Sequence, residues 1–224
     1  MPNQPPMDAP RRTRREGPAP PLTREGIVTT ALRLVDSEGL KALSMRRLGA
    51  ALGVDPMAVY YHLPNKEALL DAIVEAVMAE IDLTLDDPAA PPEARILVAA
   101  RAYRDAMLAH RNALPIVLTR GPATQVALRP VELLLGVLRE AGLPPEQALA
   151  GMNAIAAAVR GAVGMAAPMA AKMHAPDRVE TLPFPHLREA LLHAGDHFER
   201  DFEFGLRALA RGLLAEAPPR PVRR

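Results

Sequence analysis

Apolar residues recur along this chain at intervals of three and four, the spacing that sets side chains on one face of an α-helix. Ile27, Ala31, Leu34 and Val35 form the first such face, opened by Thr23-Arg24-Glu25 and closed by Gly39. Thr23 offers a capping hydroxyl and Glu25 an early carboxylate, both favourable at a helix N-terminus. Leu48 and Leu52 mark a second helix, capped by Ser44. Gly49 between them is small enough for another helix to cross closely, and Gly53 suits the positive φ that ends a helix. Val54 and Val59 carry the seam into a third helix, with Asp55 as its cap and Pro56 tolerated in its first turn. Asn65 caps a fourth, which opens at Lys66 and runs apolar through Leu69, Leu70, Ile73, Val77 and Ile81. The pattern predicts three short helices followed by a longer one.

Beyond these, helices are predicted near 92–110, 113–119, 124–141 and 145–168, separated by Pro115, Gly121-Pro122 and Gly142-Leu143-Pro144-Pro145. A last helix carries Phe198, Phe202, Leu206, Leu209 and Leu213 as a broad apolar stripe. No stretch alternates β-branched residues as a strand does, and aromatic residues make up 3% of the chain, so the fold class is all-α. The apolar run from Ala148 to Ala171 is not a membrane span, because Asn153 and Arg160 sit within it and Pro168 interrupts its end. Its small residues instead repeat at four-residue spacing as Ala150, Ala154, Ala158 and Ala162, beside Ala157 and Gly161. Another helix can approach such a surface closely, within the subunit or across a dimer.

The third helix has a face with no core to fill: Met57, Ala58, Tyr60, Tyr61 and His62. Tyrosines and a histidine turned outward just after a tight turn fit a recognition helix entering a DNA major groove; an ordinary helical hairpin is the plainer alternative. The flanking residues sharpen the comparison. Gly39, Ser44-Met45-Arg46-Arg47-Leu48, Gly53-Val54, Tyr60-Tyr61-His62, Asn65-Lys66 and Leu69-Leu70-Asp71 together resemble the N-terminal domain of the tetracycline-repressor (TetR) family of bacterial transcription regulators. Phe202-Glu203-Phe204-Gly205-Leu206 with Gly212-Leu213 looks like the last helix of the tetracycline repressor's own branch. The resemblance runs from about residue 22 to 215, strongest at the two ends.

That resemblance implies a ligand-responsive regulator, most simply a repressor that binds a palindromic double-stranded operator as a homodimer and is released by a small molecule. It implies that Arg46, Met57, Ala58 and Tyr60 face base edges or sugars. Ser44, Tyr61, His62 and Lys66 then bond phosphates, with Thr23 and Arg24 adding contacts from the first helix. It implies a dimer interface through Ala154, Ala158, Gly161, Phe202, Leu206 and Leu209, since in this family the two corresponding helices form a four-helix bundle with their copies. The matching pocket positions are Tyr103, Met107, Val117, Arg120, Val131, Leu135, Met152 and Met165. Val117 and Met165 stand where the tetracycline repressor has a magnesium-ligating His and Glu, which argues against magnesium–tetracycline and for no metal or cofactor. The set suits a mainly hydrophobic effector, with Arg120 available to an acidic or carbonyl group.

Composition adds limits. At 224 residues the chain holds one large domain or two small ones. The net charge of +1 conceals a gradient: residues 1–70 hold 10 Lys/Arg against 7 Asp/Glu, 71–216 hold 14 against 19, and the last eight hold three Arg and no acid. Residues 1–21, with seven Pro and the run Arg11-Arg12-Thr13-Arg14-Arg15, read as a disordered arm that either lies along DNA or merely solubilises. The division is therefore arm 1–21, helix-turn-helix domain 22–70, ligand and dimerisation domain 71–216, and basic tail 217–224. The absence of Cys excludes disulfides and thiol catalysis and fits a reducing cytoplasm. No apolar region follows the arginines as a secretory signal needs. His193 and His197 are four apart, but no third metal ligand stands out; His110, His174 and His186 have no recognisable partners. No nucleophile elbow, phosphate loop or His-Glu-x-x-His is present, so an enzyme is not expected. A helical protein-interaction module would retain the stripes but gives no reason for Arg46, Tyr60, Tyr61 and Lys66 together.

Overall fold

The computed structural model describes residues 21–165, 179, 182–193 and 198–218, among which there are helices and turns and no strand. In order these are α1 (Arg24–Glu38), α2 (Met45–Leu52), α3 (Pro56–His62), α4 (Lys66–Ala79), α5 (Pro92–Ala109), α6 (Leu114–Val117), α7 (Gln125–Glu140), α8 (Pro145–Met165), α9 (Pro185–His193) and α10 (Phe198–Ala215). Short 3-10 turns at Leu40–Ala42 and Arg111–Ala113 follow α1 and α5. The capping residues act as their chemistry dictates. Thr23 Oγ1 accepts from Gly26 N at 3.1 Å, Ser44 Oγ from Arg47 N at 3.1 Å, Asp55 Oδ1 from Met57 N at 2.8 Å and Asn65 Oδ1 from Ala68 N at 2.8 Å. Each such cap contributes about 1 kcal/mol.

Ile27, Val35, Leu43, Leu48, Val59, Leu63, Leu69 and Ile73 are fully buried where α1 to α4 meet, and the same core continues through Ile96, Met107, Leu138, Leu143 and Ile155. Helix α4 runs unbroken through position 70 and packs on α1 as well as on α5, α6 and α7. It therefore belongs to both halves of the molecule. Behind it, α5 packs on α7, α8 and α10, and α7 on α8.

Two ion pairs fasten α10 to α5: Arg101 donates to both oxygens of Glu203, and Arg104 donates to Glu199 at 2.7 Å while its guanidinium lies 4.8 Å from the Phe202 ring centroid. These contacts turn Phe202 and Leu206 inward, where they are buried against the protomer's own core. That corrects their assignment to a dimer interface, because an apolar stripe gives the side of a helix that is buried but not which chain buries it. Leu209 is half-buried. Helix α9 has no buried residue, although Leu187 and Leu192 are exposed on it. The arm at 1–20, the end of the tail, His174 and His197 lie outside the described residues, as does the side chain of Met165.

Candidate functional site

The tightest local geometry is the crossing of α2 and α3. Gly53 closes α2 in the left-handed region at φ 69°, and Val54 N donates back to Gly49 O at 3.0 Å. A Cβ on Gly49 would lie 3.0 Å from the Val54 carbonyl oxygen and 3.2 Å from Pro56 Cα, so only glycine admits this approach. Val59 anchors α3 from below. The opposite face stays open, with Met57 71%, Tyr61 89% and Tyr60 39% exposed. Ala58 and His62 are half-buried, and the His62 ring meets Tyr61 edge-on at 5.5 Å.

Charge around this face is selective. Arg47 is held by Glu38 at 2.6 Å, whereas Arg24, Arg46 and Lys66 are exposed and have no acidic partner among the described residues. Thr23 and Ser44 cap through their lone pairs, leaving each hydroxyl proton to donate. The ten residues predicted to meet DNA thus lie on the N-termini of α1, α2 and α4 and along the outer side of α3. Three exposed apolar or aromatic side chains flanked by unpaired cations is the composition of a surface that reads bases and holds phosphates.

A cavity of about 180 Å³ lies among α4, α5, α7 and α8 and the loop after α6. Of the predicted lining, Tyr103, Val117, Arg120, Val131 and Met152 are there. Met107 is not, being fully buried in the core, and Leu135 packs half-buried against that core away from the cavity. The remaining wall includes Val74, Met78, Ile81, Leu134 and Ile155, together with Asn153 and Arg160, which from sequence stand out only as polar interruptions of an apolar run.

Arg120 differs from expectation. Its guanidinium pairs with Glu67 and Asp71 on α4, so it reaches the cavity wall already neutralised. The same loop is tied to α4 again where Glu75 accepts from Ala123 N at 2.5 Å and Thr124 N at 3.1 Å. Tyr103, by contrast, is hydrogen-bonded to Arg160. Burial raises the phenol above its ordinary range, partly offset by the charge and hydrogen bond of Arg160.

Residues 27–73 match the family described as bacterial regulatory proteins, tetR family, and residues 87–217 match the tetracyclin repressor-like C-terminal domain. The chain belongs to the TetR family. Tetracycline repressor protein class D of Escherichia coli is 32% identical over 198 residues, covering 86% of this chain and 89% of its own length. Among solved structures, ActR of Streptomyces coelicolor in complex with (S)-DNPA superposes with a TM-score of 0.78 at 32% identity, covering 89% of this chain and 100% of that one. BioQ with its double-stranded DNA operator gives 0.64 at 26%, covering 88% and 100%.

Within this TetR-family chain His110 has partners that sequence reasoning missed. At the end of α5, its Nδ1 lies 2.8 Å from Asp36 of α1 and its Nε2 lies 2.7 Å from Glu80 just beyond α4. Burial disfavours the charged ring, but the hydrogen bonds to Glu80 and Asp36 outweigh it and the net shift is upward. His193 instead has its Nδ1 2.8 Å from the Glu189 carbonyl oxygen. Among the described residues no group of His and carboxylates could hold a metal ion, and no helix is long and apolar enough to cross a membrane.

Proposed function

We propose that this TetR-family regulator is a cytoplasmic, ligand-responsive repressor that binds a palindromic operator as a homodimer and leaves it when a mainly hydrophobic small molecule enters the cavity. The observation that carries this reading is the double attachment of α4. Its N-terminal turn follows directly on α3 and presents Lys66, while Glu67, Asp71 and Glu75 on the same helix grip the loop that walls the cavity. An occupant that moves the loop therefore moves the reading head. A ligand shifts such an equilibrium only by its differential affinity for the two states, typically about 1–3 kcal/mol.

The homodimer is supported by what α8 and α10 leave uncovered. Ala158 and Gly161 are exposed, Ala154 and Leu209 are half-buried, and Phe204 is 78% exposed. Pairing there brings two α3 helices toward successive major grooves about 34 Å apart. Light scattering on the eluted protein tests the pairing; a Phe204→Glu variant shifts to monomer.

The function itself is tested by capturing sheared DNA of the source genome on the purified protein at moderate salt and sequencing what remains. Enrichment of one or a few palindromes is expected, and no enrichment over bulk DNA refutes the reading. On an enriched site, Lys66→Ala lowers affinity for all DNA and flattens the salt slope by about 1, whereas Arg46→Ala or Tyr60→Ala chiefly erodes the specific-to-non-specific ratio.

A further inference from the structure

The cavity has a polar pole that the family-based reading places on the wrong arginine. Arg120 is satisfied by two carboxylates of α4, so its side of the wall carries a net negative charge and repels an anion. Arg160 on α8 is the other guanidinium in the lining, half-buried, and no carboxylate among the described residues pairs with it. Its recorded neighbour is the Tyr103 hydroxyl on α5. A guanidinium offers five N–H donors, and one phenol oxygen accepts at most two of them. Facing Val74, Ile81, Val131, Leu134 and Ile155, the rest are poorly compensated. If Tyr103 accepts from Arg160, its own O–H is left to donate, and burial keeps that proton on the oxygen at neutral pH.

Two kinds of donor thus converge on one point of an otherwise apolar cavity, with negative charge at the far wall. We propose that the cavity selects a small apolar organic acid, its carboxylate held by Arg160 and the Tyr103 hydroxyl and its hydrophobic body directed toward α4 and α7. This rests on the reading of the cavity as an effector site and names the class of effector. The size agrees: about 180 Å³ is below the roughly 300–1,000 Å³ of sites for drug-sized ligands, so one or two fused rings fit without large rearrangement. The opposed charges also fix orientation, since the reverse pose sets the carboxylate against Glu67 and Asp71.

The probes are 2-naphthoate and its neutral analogue 2-naphthamide, titrated calorimetrically into the full-length protein. Wild type should bind the naphthoate at least ten-fold more tightly, as a charge-assisted contact is stronger than a neutral one. Arg160→Met should abolish that preference while retaining the amide, which also shows that the variant is folded. Tyr103→Phe should reduce the preference several-fold with Arg160 intact, and keeps the proposal testable should Arg160→Met not fold. Arg120→Met should leave the preference unchanged. Equal binding of the two probes to wild type, or a preference that survives Arg160→Met, overturns the acid-selective pole but leaves the cavity as an effector site. Binding of neither probe overturns both.

Discussion

Gly49→Ala places one methyl group at the crossing of α2 and α3, and its sign separates two physical effects. Alanine in a helix interior is favoured over glycine by about 1 kcal/mol. Against this, the new Cβ meets the Val54 carbonyl oxygen at 3.0 Å and Pro56 Cα and N at 3.2 Å, all backbone atoms of a turn that Val54 N fastens to Gly49 O. Ordinary carbon contacts lie at about 3.5–4.0 Å, so the helices must part by a few tenths of an ångström at a typical overpacking cost of 1–3 kcal/mol. The net expectation is a loss of about 1 kcal/mol. Gly136→Ala in α7 is the control, because its Cβ meets nothing within 4 Å and only the propensity gain remains. Thermal unfolding followed by circular dichroism at one protein concentration should show Gly49→Ala lowered and Gly136→Ala raised, each by about 2–4 °C per kcal/mol. Gly49→Ala should also bind its DNA more weakly, since α3 is displaced while every contacting side chain is retained. A stabilised Gly49→Ala with unchanged DNA affinity refutes the argument that this crossing requires glycine.

The upward shift of His110 gives a pH dependence of definite sign. A folded pKa above the ordinary value of about 6.5 means that its stabilisation is complete below that value and is lost as pH rises through the folded pKa. Urea unfolding of wild type and His110→Gln should therefore differ most in mildly acidic buffer and converge in mildly alkaline buffer; a constant difference refutes it. Arg95 donates to both oxygens of Asp86 at 2.9 Å and to Glu140 at 2.6 Å, with Asp86 almost fully buried. Arg95→Met should cost about 3–5 kcal/mol, and Asp86→Leu added to it should recover most of the loss by removing the stranded carboxylate.

What was legible in the sequence was local. Thr23, Ser44, Asp55 and Asn65 cap because a short polar side chain needs only its own next turn, and Gly49 and Gly53 announce a tight crossing for the same reason. The outward face of α3 followed by subtraction, since Val59 alone was needed inside. The partners of charged residues were not legible. Arg120 finds Glu67 and Asp71, and His110 finds Asp36 and Glu80, across dozens of residues that helical periodicity does not relate. Phe202 and Leu206 show the same limit for apolar stripes: spacing identifies the face, while Arg101 and Arg104 on a distant helix decide that it turns inward. Arg160 left a trace, a charge amid alanines, but only the cavity around it turns that trace into a candidate ligand contact.

The pairing of Arg47 with Glu38, beside an unpaired Arg46, bears on how the protein searches a chromosome. Every phosphate contact that a reading head can make anywhere along a duplex lengthens its stay at irrelevant sequence, because such contacts carry no base information. With one of two adjacent arginines occupied by an internal acid, the head keeps a cation for its target and gives up one that would hold it everywhere else. Short dwell times at wrong sites, and hence quick sampling of many, follow from a single carboxylate nine positions upstream.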